Sequence, residues 1–223
     1  MAIIDEKTKE QVRNMFKDLK NEVTLVVFTQ DSLSSMPGLE CETCKDNRLL
    51  MEEVASLSDK IKVEVFDYVK DKNKVEEYGI DKIPATVIKG DRDRGIRIFG
   101  LPAGYEFPTL LSAIKLVSAA ESDLSDASRT SMKKITKSVH IQVFVTLTCP
   151  YCASAAHLAH RLAHHNEMVK ADVINAQEFP QLAQKYNVFA VPKIVINESI
   201  QFEGALPEDG FVAKVLDSQN SEN

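Results

Sequence analysis

The stretch TCPYCAS, residues 148–154, sets Cys149 and Cys152 at positions i and i+3, directly behind the apolar run VHIQVFVTL at 139–147. A short, β-branched apolar run reads as a buried strand, and the residues from Ala153 to His165 read as a helix. Two sulfurs therefore stand at a strand-to-helix junction. The chain's other two cysteines, Cys41 and Cys44, have the same spacing in LECETCK at 39–45.

Residues i and i+3 at a helix start lie close together on one side. Each pair can close as a small disulfide ring, or open as a dithiol, with little backbone movement. The first cysteine meets unpaired N–H groups and the positive end of the helix dipole, and both favour thiolate over thiol. A fall in pKa from about 8.5 to about 7 is typical of such motifs and corresponds to roughly 2 kcal/mol. The thiolate is the nucleophile of disulfide exchange. Cys41 and Cys149 are thus expected to attack. Cys44 and Cys152, a helical turn further in, are expected to resolve the mixed disulfide. Pro150 suits a first helical position, where a missing N–H costs nothing.

Sliding the chain by 108 residues lays Cys41 on Cys149 and Cys44 on Cys152, and ten of the next fifty ungapped positions, those sulfurs included, are identical. The frame also superposes IPATVIKG (83–90) on VPKIVINE (191–198), so Pro84 meets Pro192. Paired sulfurs and a paired proline in one frame make the chain two copies of one unit. ESDLSDASRTS at 121–131 is polar and Ser-rich and reads as the linker. The expected domains are 1–121, with CETC, and 122–223, with CPYC.

Each unit reads in the order αβαβαββα. In the first, apolar spacing predicts a helix at 7–19, a strand at 23–29, a helix at 45–58 and a strand at 62–68. A short helix at 72–79 ends at Gly79, strands follow at 86–89 and 96–100, and a helix runs from Phe107 to Val117. GDRDRG (90–95) reads as a solvated hairpin, and Tyr78 and Tyr186 as packing residues.

The chain has 223 residues, a net charge of −6, 44% hydrophobic residues and 27% charged ones. Two domains of this size bury cores without disulfide staples. No basic stripe marks a nucleic-acid partner. No run approaches the ~18 apolar residues of a membrane span. The start, MAIIDEKTKEQVRNMF, lacks an apolar core of signal-peptide length. A cytoplasmic protein is expected, without nucleic-acid or membrane partners. Cysteines in that setting are more often catalytic or metal-binding than structural.

The element order resembles the thioredoxin fold, with CxxC after the first strand and a branched residue plus proline before the third. CPYC is similar to the glutaredoxin motif. Two such units in a chain of this length resemble the two-domain protein disulfide oxidoreductases of thermophilic archaea and bacteria, and the GLPAG turn (100–104) adds to the likeness. The resemblance implies an α/β fold of two tandem thioredoxin-like domains, each a central mixed sheet flanked by helices. It implies dithiol–disulfide exchange with protein substrates through Cys41–Cys44 and Cys149–Cys152. It also implies cis peptides at Ile83–Pro84 and Val191–Pro192, where an extended substrate would pair with the backbone like an added strand.

No G-x-G-x-x-G occurs, so no dinucleotide or flavin domain and no cofactor is expected. Reducing equivalents would come from a separate thioredoxin-reductase-like flavoenzyme. The two motifs differ in charge: Glu40 and Glu42 flank Cys41, whereas Pro150 and Tyr151 follow Cys149. Carboxylates disfavour a thiolate, so the second disulfide is expected to be the stronger oxidant. The first unit carries about eight extra residues within TQDSLSSMPGLE (29–40), either a cap over its site or an inert insertion.

Four competing readings stay open. Paired CxxC motifs bind zinc, but usually across a gap of ~15–20 residues, and here 104 residues lie between Cys44 and Cys149. Tandem thioredoxin folds can grip unfolded chains as a chaperone-like peptide-binding module, or relay electrons to a peroxidase. His157, His160 and His164 share one helix face. Such a face can bind a transition metal but is more commonly solvated, and no metal site is expected.

Overall fold

A computed structural model of the chain describes residues 3–30, 40–119 and 121–220. Most of the 29–40 segment, expected either as a cap over the first site or as an inert insertion, lies outside the described residues. The first unit contains α1 (Glu6–Phe16), β1 (Val23–Thr29), α2 (Cys44–Ala55), β2 (Ile61–Asp67), α3 (Lys72–Tyr78), β3 (Ala85–Lys89), β4 (Ile96–Phe99), a 3₁₀ turn (Gly104–Glu106) and α4 (Phe107–Ser118). The second contains α5 (Asp126–Met132), β5 (Val139–Val145), α6 (Cys152–His165), β6 (Val169–Asn175), α7 (Pro180–Lys185), β7 (Lys193–Ile196), β8 (Ile200–Glu203) and α8 (Glu208–Asn220).

The strands form one mixed sheet in the order β2-β1-β3-β4-β6-β5-β7-β8. Within each half a parallel pair (β1 with β2, β5 with β6) adjoins two antiparallel neighbours. The halves join edge to edge through β4 and β6, which pair in parallel from Ile96 with Ala171 to Phe99 with Ile174.

Alternation along β1 explains the apolar run in the sequence. Leu25 and Val27 face one core with residues of α2, α4, α6 and α8, while Val26 and Phe28 face a second core with Tyr78 of α3 and Tyr186 just past α7. A strand covered on both faces reads as continuous hydrophobicity rather than as alternation. The two tyrosines pack on equivalent phenylalanines, Tyr78 on Phe28 at 5.8 Å and Tyr186 on Phe144 at 5.5 Å between ring centroids. Gly79, at φ +60, closes α3 in the left-handed conformation that glycine adopts without penalty.

Three expectations are corrected here. The Ser-rich stretch is linker only in part. The Ser125 side chain accepts a bond from the Ser128 N–H and caps α5, whose Met132 is fully buried. Local capping chemistry thus turned the end of a polar stretch into a helix.

The charged hairpin is not simply solvated. The Gly95 carbonyl accepts the Ala171 N–H at 2.8 Å, and a Cβ on Gly95, at φ +75, would stand 2.9 Å from the Val169 carbonyl. Arg92 pairs with Glu167, Arg94 donates to the His164 carbonyl, and Arg97 is buried with its guanidinium on Asp93 and the Tyr78 carbonyl. These side chains line the seam between the units.

The histidine face is not solvated either. His160 is fully buried, His164 is 3% exposed and His157 is half-buried. Helix α6 packs its face on α4 and β4 of the first unit. Burial, with a smaller push from His157, drives the His160 pKa down to about 3, and burial together with Arg94 takes His164 to about 4. Both are neutral imidazoles at the seam. Among the described residues no set of three His, Cys, Asp or Glu is grouped to hold a metal ion, and no helix is long and apolar enough to cross a membrane.

Candidate active sites

Both cysteine pairs sit beyond the carboxyl ends of the strands, where open α/β sheets gather functional groups. Each pair is closed as a disulfide within its own motif, with Cα atoms 5.4 Å apart for Cys41–Cys44 and 5.5 Å for Cys149–Cys152. The second cysteine of each pair is the first helical residue, and the first lies in the preceding turn. This shifts the expected positions outward: Cys44 and Cys152 start their helices, and Pro150 lies two residues before α6. The local reason is that Thr43 and Tyr151 occupy the cap positions.

Exposure separates the sulfurs. Cys44 and Cys152 are 1% and 0% exposed, Cys149 is 7% exposed, and Cys41 is half-buried. The first cysteine of each pair is the one that solvent, and hence a substrate, reaches. The Cys41 N–H donates to Gln30 Oε1 at 3.2 Å, tying the motif to the end of β1.

Of the two branched residue–proline pairs, the second borders its cysteine. Both Ile83–Pro84 and Val191–Pro192 are cis. The Val191 carbonyl is 3.7 Å from Cys149 Sγ, so this loop borders the reactive atom directly. The carbonyls of Pro84 and Pro192 accept from Gly100 and Gly204 N–H at 2.9 and 2.8 Å, fixing each loop to the neighbouring turn.

Two glutamates at these sites belong to no motif that the sequence singles out. Glu106 ends the 3₁₀ turn, is 2% exposed, and has neither carboxylate oxygen hydrogen-bonded. Its turn packs against α6, and the following cleft also includes Val145, Leu147 and Asn175. Tyr105 N–H donates to the Leu147 carbonyl at 3.0 Å, two residues before the CPYC run begins. Gly104, at φ +55, permits this approach, since a Cβ there would fall 2.6 Å from the Leu147 oxygen. Burial pushes the Glu106 carboxyl up to about 7, partly opposed by the nearby Thr109 hydroxyl.

Glu178, after β6, reaches in the opposite direction. Its carboxylate accepts the Thr43 hydroxyl, the Leu101 N–H at 2.8 Å and the Asn175 side-chain amide at 2.7 Å. A residue of the second unit thus holds the CETC motif of the first. Only contacts across the seam reveal either glutamate. The sole sequence hint was GLPAG, whose last glycine precedes Tyr105 and Glu106.

A family model described as a thioredoxin domain matches residues 139–217. A thioredoxin of Methanocaldococcus jannaschii is 38% identical over 80 residues, which cover 34% of this chain and 92% of that protein. Among solved structures, a protein disulfide oxidoreductase from Aeropyrum pernix K1 superposes with a TM-score of 0.89 and 30% identity, covering 98% of this chain and 96% of that one. The NTD_N/C domain of the alkylhydroperoxide reductase AhpF from Enterococcus faecalis does so at 0.86 and 25% identity, covering 95% and 99%. The chain spans 38% of the length of an NADH dehydrogenase of Bacillus subtilis with which it is 22% identical over 213 residues.

Proposed function

The chain belongs to the protein disulfide oxidoreductases of the thioredoxin superfamily, and from that premise we propose that it exchanges disulfides with protein substrates through two sites, one in each of the units 1–121 and 122–223. The observation that carries this reading is the pairing, in each motif, of an outer cysteine with a buried partner already closed as a disulfide.

In the reducing direction the Cys149 thiolate attacks one sulfur of a substrate disulfide. A Cys149–substrate bond forms and the other substrate sulfur leaves as a thiolate, which takes up a proton. The Cys152 thiolate then attacks Cys149 Sγ, closes the ring and expels the remaining substrate thiolate. Two electrons pass from the protein dithiol to the substrate, and oxidation is the same sequence reversed. Cys41 and Cys44 perform the same steps in the first unit. Ile83–Pro84 and Val191–Pro192 border the substrate chain. Before that second attack the Cys152 thiol must lose its proton, and to Glu106, buried in the turn that packs on α6 with its carboxyl raised to about 7, we assign its acceptance.

The likeness to AhpF favours redox partners in a peroxidase–reductase system. A separate thioredoxin-reductase-like flavoenzyme supplies the electrons. A second reading, an adapter that relays those electrons to a peroxidase, rests on the same likeness and uses the same sulfurs. The test is turnover of a protein disulfide against turnover of a peroxidase disulfide, in the intact protein and in Cys41→Ser/Cys44→Ser and Cys149→Ser/Cys152→Ser proteins. Exchange that survives loss of both pairs would end the proposal.

A further inference from the structure

The three most solvent-exposed aromatic side chains among the described residues are Phe189 at 91%, Tyr151 at 71% and Tyr105 at 54%. All three belong to segments that adjoin one motif, that of Cys149. Tyr151 is two residues past Cys149. Phe189 is two residues before Val191, whose carbonyl is 3.7 Å from Cys149 Sγ. Tyr105 comes from the first unit, with its N–H bonded to the Leu147 carbonyl ahead of the motif.

Exposed aromatic surface gathered at one place marks a recognition surface, whereas single apolar residues scattered over a surface do not. Among the described residues the other exposed large apolar side chains, Ile3, Met15, Val69 and Met168, are not aromatic and lie on other segments. Nothing in the fold requires the aromatics, because none of the three is buried in either core.

The repeat provides an internal control. At the positions of Pro150, Tyr151, Ala153 and Phe189, the first unit carries Glu42, Thr43, Lys45 and Asp81. Glu42, Lys45 and Asp81 are exposed, and the Thr43 hydroxyl is engaged by Glu178. The same backbone frame thus presents an uncharged, aromatic rim at one sulfur and a charged rim at the other.

We propose that Tyr105, Tyr151 and Phe189 form an aromatic rim that selects, for the second site, extended segments of unfolded polypeptide with apolar or aromatic residues beside the reacting disulfide. The first site lacks this selection. Such segments are buried in native proteins and exposed in unfolded ones. Aromatic rings give large contact areas at low rotamer cost, and the water-excluded centre of an interface carries most of its energy. The rim therefore makes the second site read the folding state of its substrate, while the charged first site engages polar surfaces. This assignment rests on the exchange function proposed above.

The test uses Cys41→Ser/Cys44→Ser protein, in which only the second site reacts, and Cys149→Ser/Cys152→Ser protein, in which only the first does. Each is fully reduced and mixed with excess peptide disulfide flanked by Phe and Leu or by Glu and Lys. The second-order oxidation rate is followed in a single turnover, so the protein dithiol supplies both electrons. The second site is expected to favour the apolar peptide by on the order of tenfold or more, and the first site is not. Phe189→Ser and Tyr105→Ser should bring the ratio at the second site toward one. A ratio is read because it is insensitive to a change in overall reactivity.

Equal ratios at the two sites, or a ratio unmoved by Phe189→Ser, would overturn the assignment. Bis(2-hydroxyethyl) disulfide, which has no peptide and no aromatic group, reports exchange alone. Reaction with it but no peptide preference refutes the rim only. No reaction with it at the second site refutes the exchange function, and the rim with it.

Discussion

Thr43, between the two cysteines of the first motif, donates its hydroxyl hydrogen to the carboxylate of Glu178 in the second unit. The first redox site is therefore completed by an anion from outside its own unit. Together with Glu40 and Glu42 this makes three carboxylates near Cys41, against none at the equivalent neighbours of Cys149. We predict that Glu178→Gln, which keeps a hydrogen-bonding side chain but removes the charge, lowers the Cys41 thiol pKa. Thiolate absorbance titrated in a Cys149→Ser/Cys152→Ser background measures it. In wild-type units the Cys41 pKa should lie above that of Cys149, and the reverse order would refute the charge argument. Glu178→Ala, which also drops the Leu101 and Asn175 bonds, should cost about 1–3 kcal/mol in urea unfolding.

Burial decides which sulfur attacks. Cys152 is wholly enclosed, and Cys149 keeps some exposure beside the Val191 carbonyl. Cys152→Ser should accumulate a mixed disulfide with substrate, visible as a thiol-sensitive band on a non-reducing gel, and Cys149→Ser should not. The Cys44→Ser and Cys41→Ser pair should behave likewise. Trapping by the Cys149→Ser protein alone would reverse the assignment.

The seam histidines make stability fall in acid. His160 and His164 are held near 3 and 4 in the folded state, against an ordinary 6.5. Above pH 6.5 neither state binds the proton, and their contribution to stability is complete. As pH falls below 6.5 the unfolded chain takes up protons that the fold refuses, until the folded values are reached. At pH 5 the loss is at most about 2 kcal/mol for each histidine. Arg94, Arg97 and Asp172 share the seam, so the comparison must be internal. His160→Leu should lose less stability than wild type between pH 7.5 and pH 5 in urea unfolding. Parallel losses in the two proteins would remove His160 as the cause.

Glu106 acts with the opposite sign. Its folded pKa is raised from 4.5 to about 7. Its contribution is fully present below pH 4.5 and is lost between 4.5 and 7, as the unfolded chain ionises first. Glu106→Gln should therefore gain on the order of 1–3 kcal/mol at pH 8 relative to wild type. In a Cys41→Ser/Cys44→Ser background, where the Cys149 thiol gives an inflection of its own, the same substitution should remove a second inflection near pH 7 from the second site's exchange rate. A merely structural glutamate would change stability and leave that inflection in place.

Much of this was legible in the sequence because repetition and sulfur spacing are local signals. The two CxxC motifs, the Ile83–Pro84 and Val191–Pro192 pairs and the alternation of helices with strands all lie in runs of a few residues. The reading failed at the seam. The buried faces of His160 and His164, the engagement of the Asp91–Gly95 turn and the placement of Glu106 and Glu178 depend on which sheet edges meet. A histidine on a polar-looking helix face reads as solvated until another domain covers it. The second half of the Ser-rich stretch misled for a different reason, since capping by Ser125 outweighed its polar composition.

The joining of β4 to β6 has a consequence for how two copies of one unit can diverge. A duplicated unit that docked by like edges would gain a twofold axis, and each copy would give the other the same neighbour. Here unlike edges meet, so the relation is a step along the sheet with no such axis. The first motif faces the turn after β6, and the second faces the turn after β4. Identical copies joined this way would already have unequal surroundings, and substitutions at each site would be selected under different neighbours from the outset. Specialisation of the two sulfur pairs is thus built into the mode of assembly, before any change in the motifs themselves.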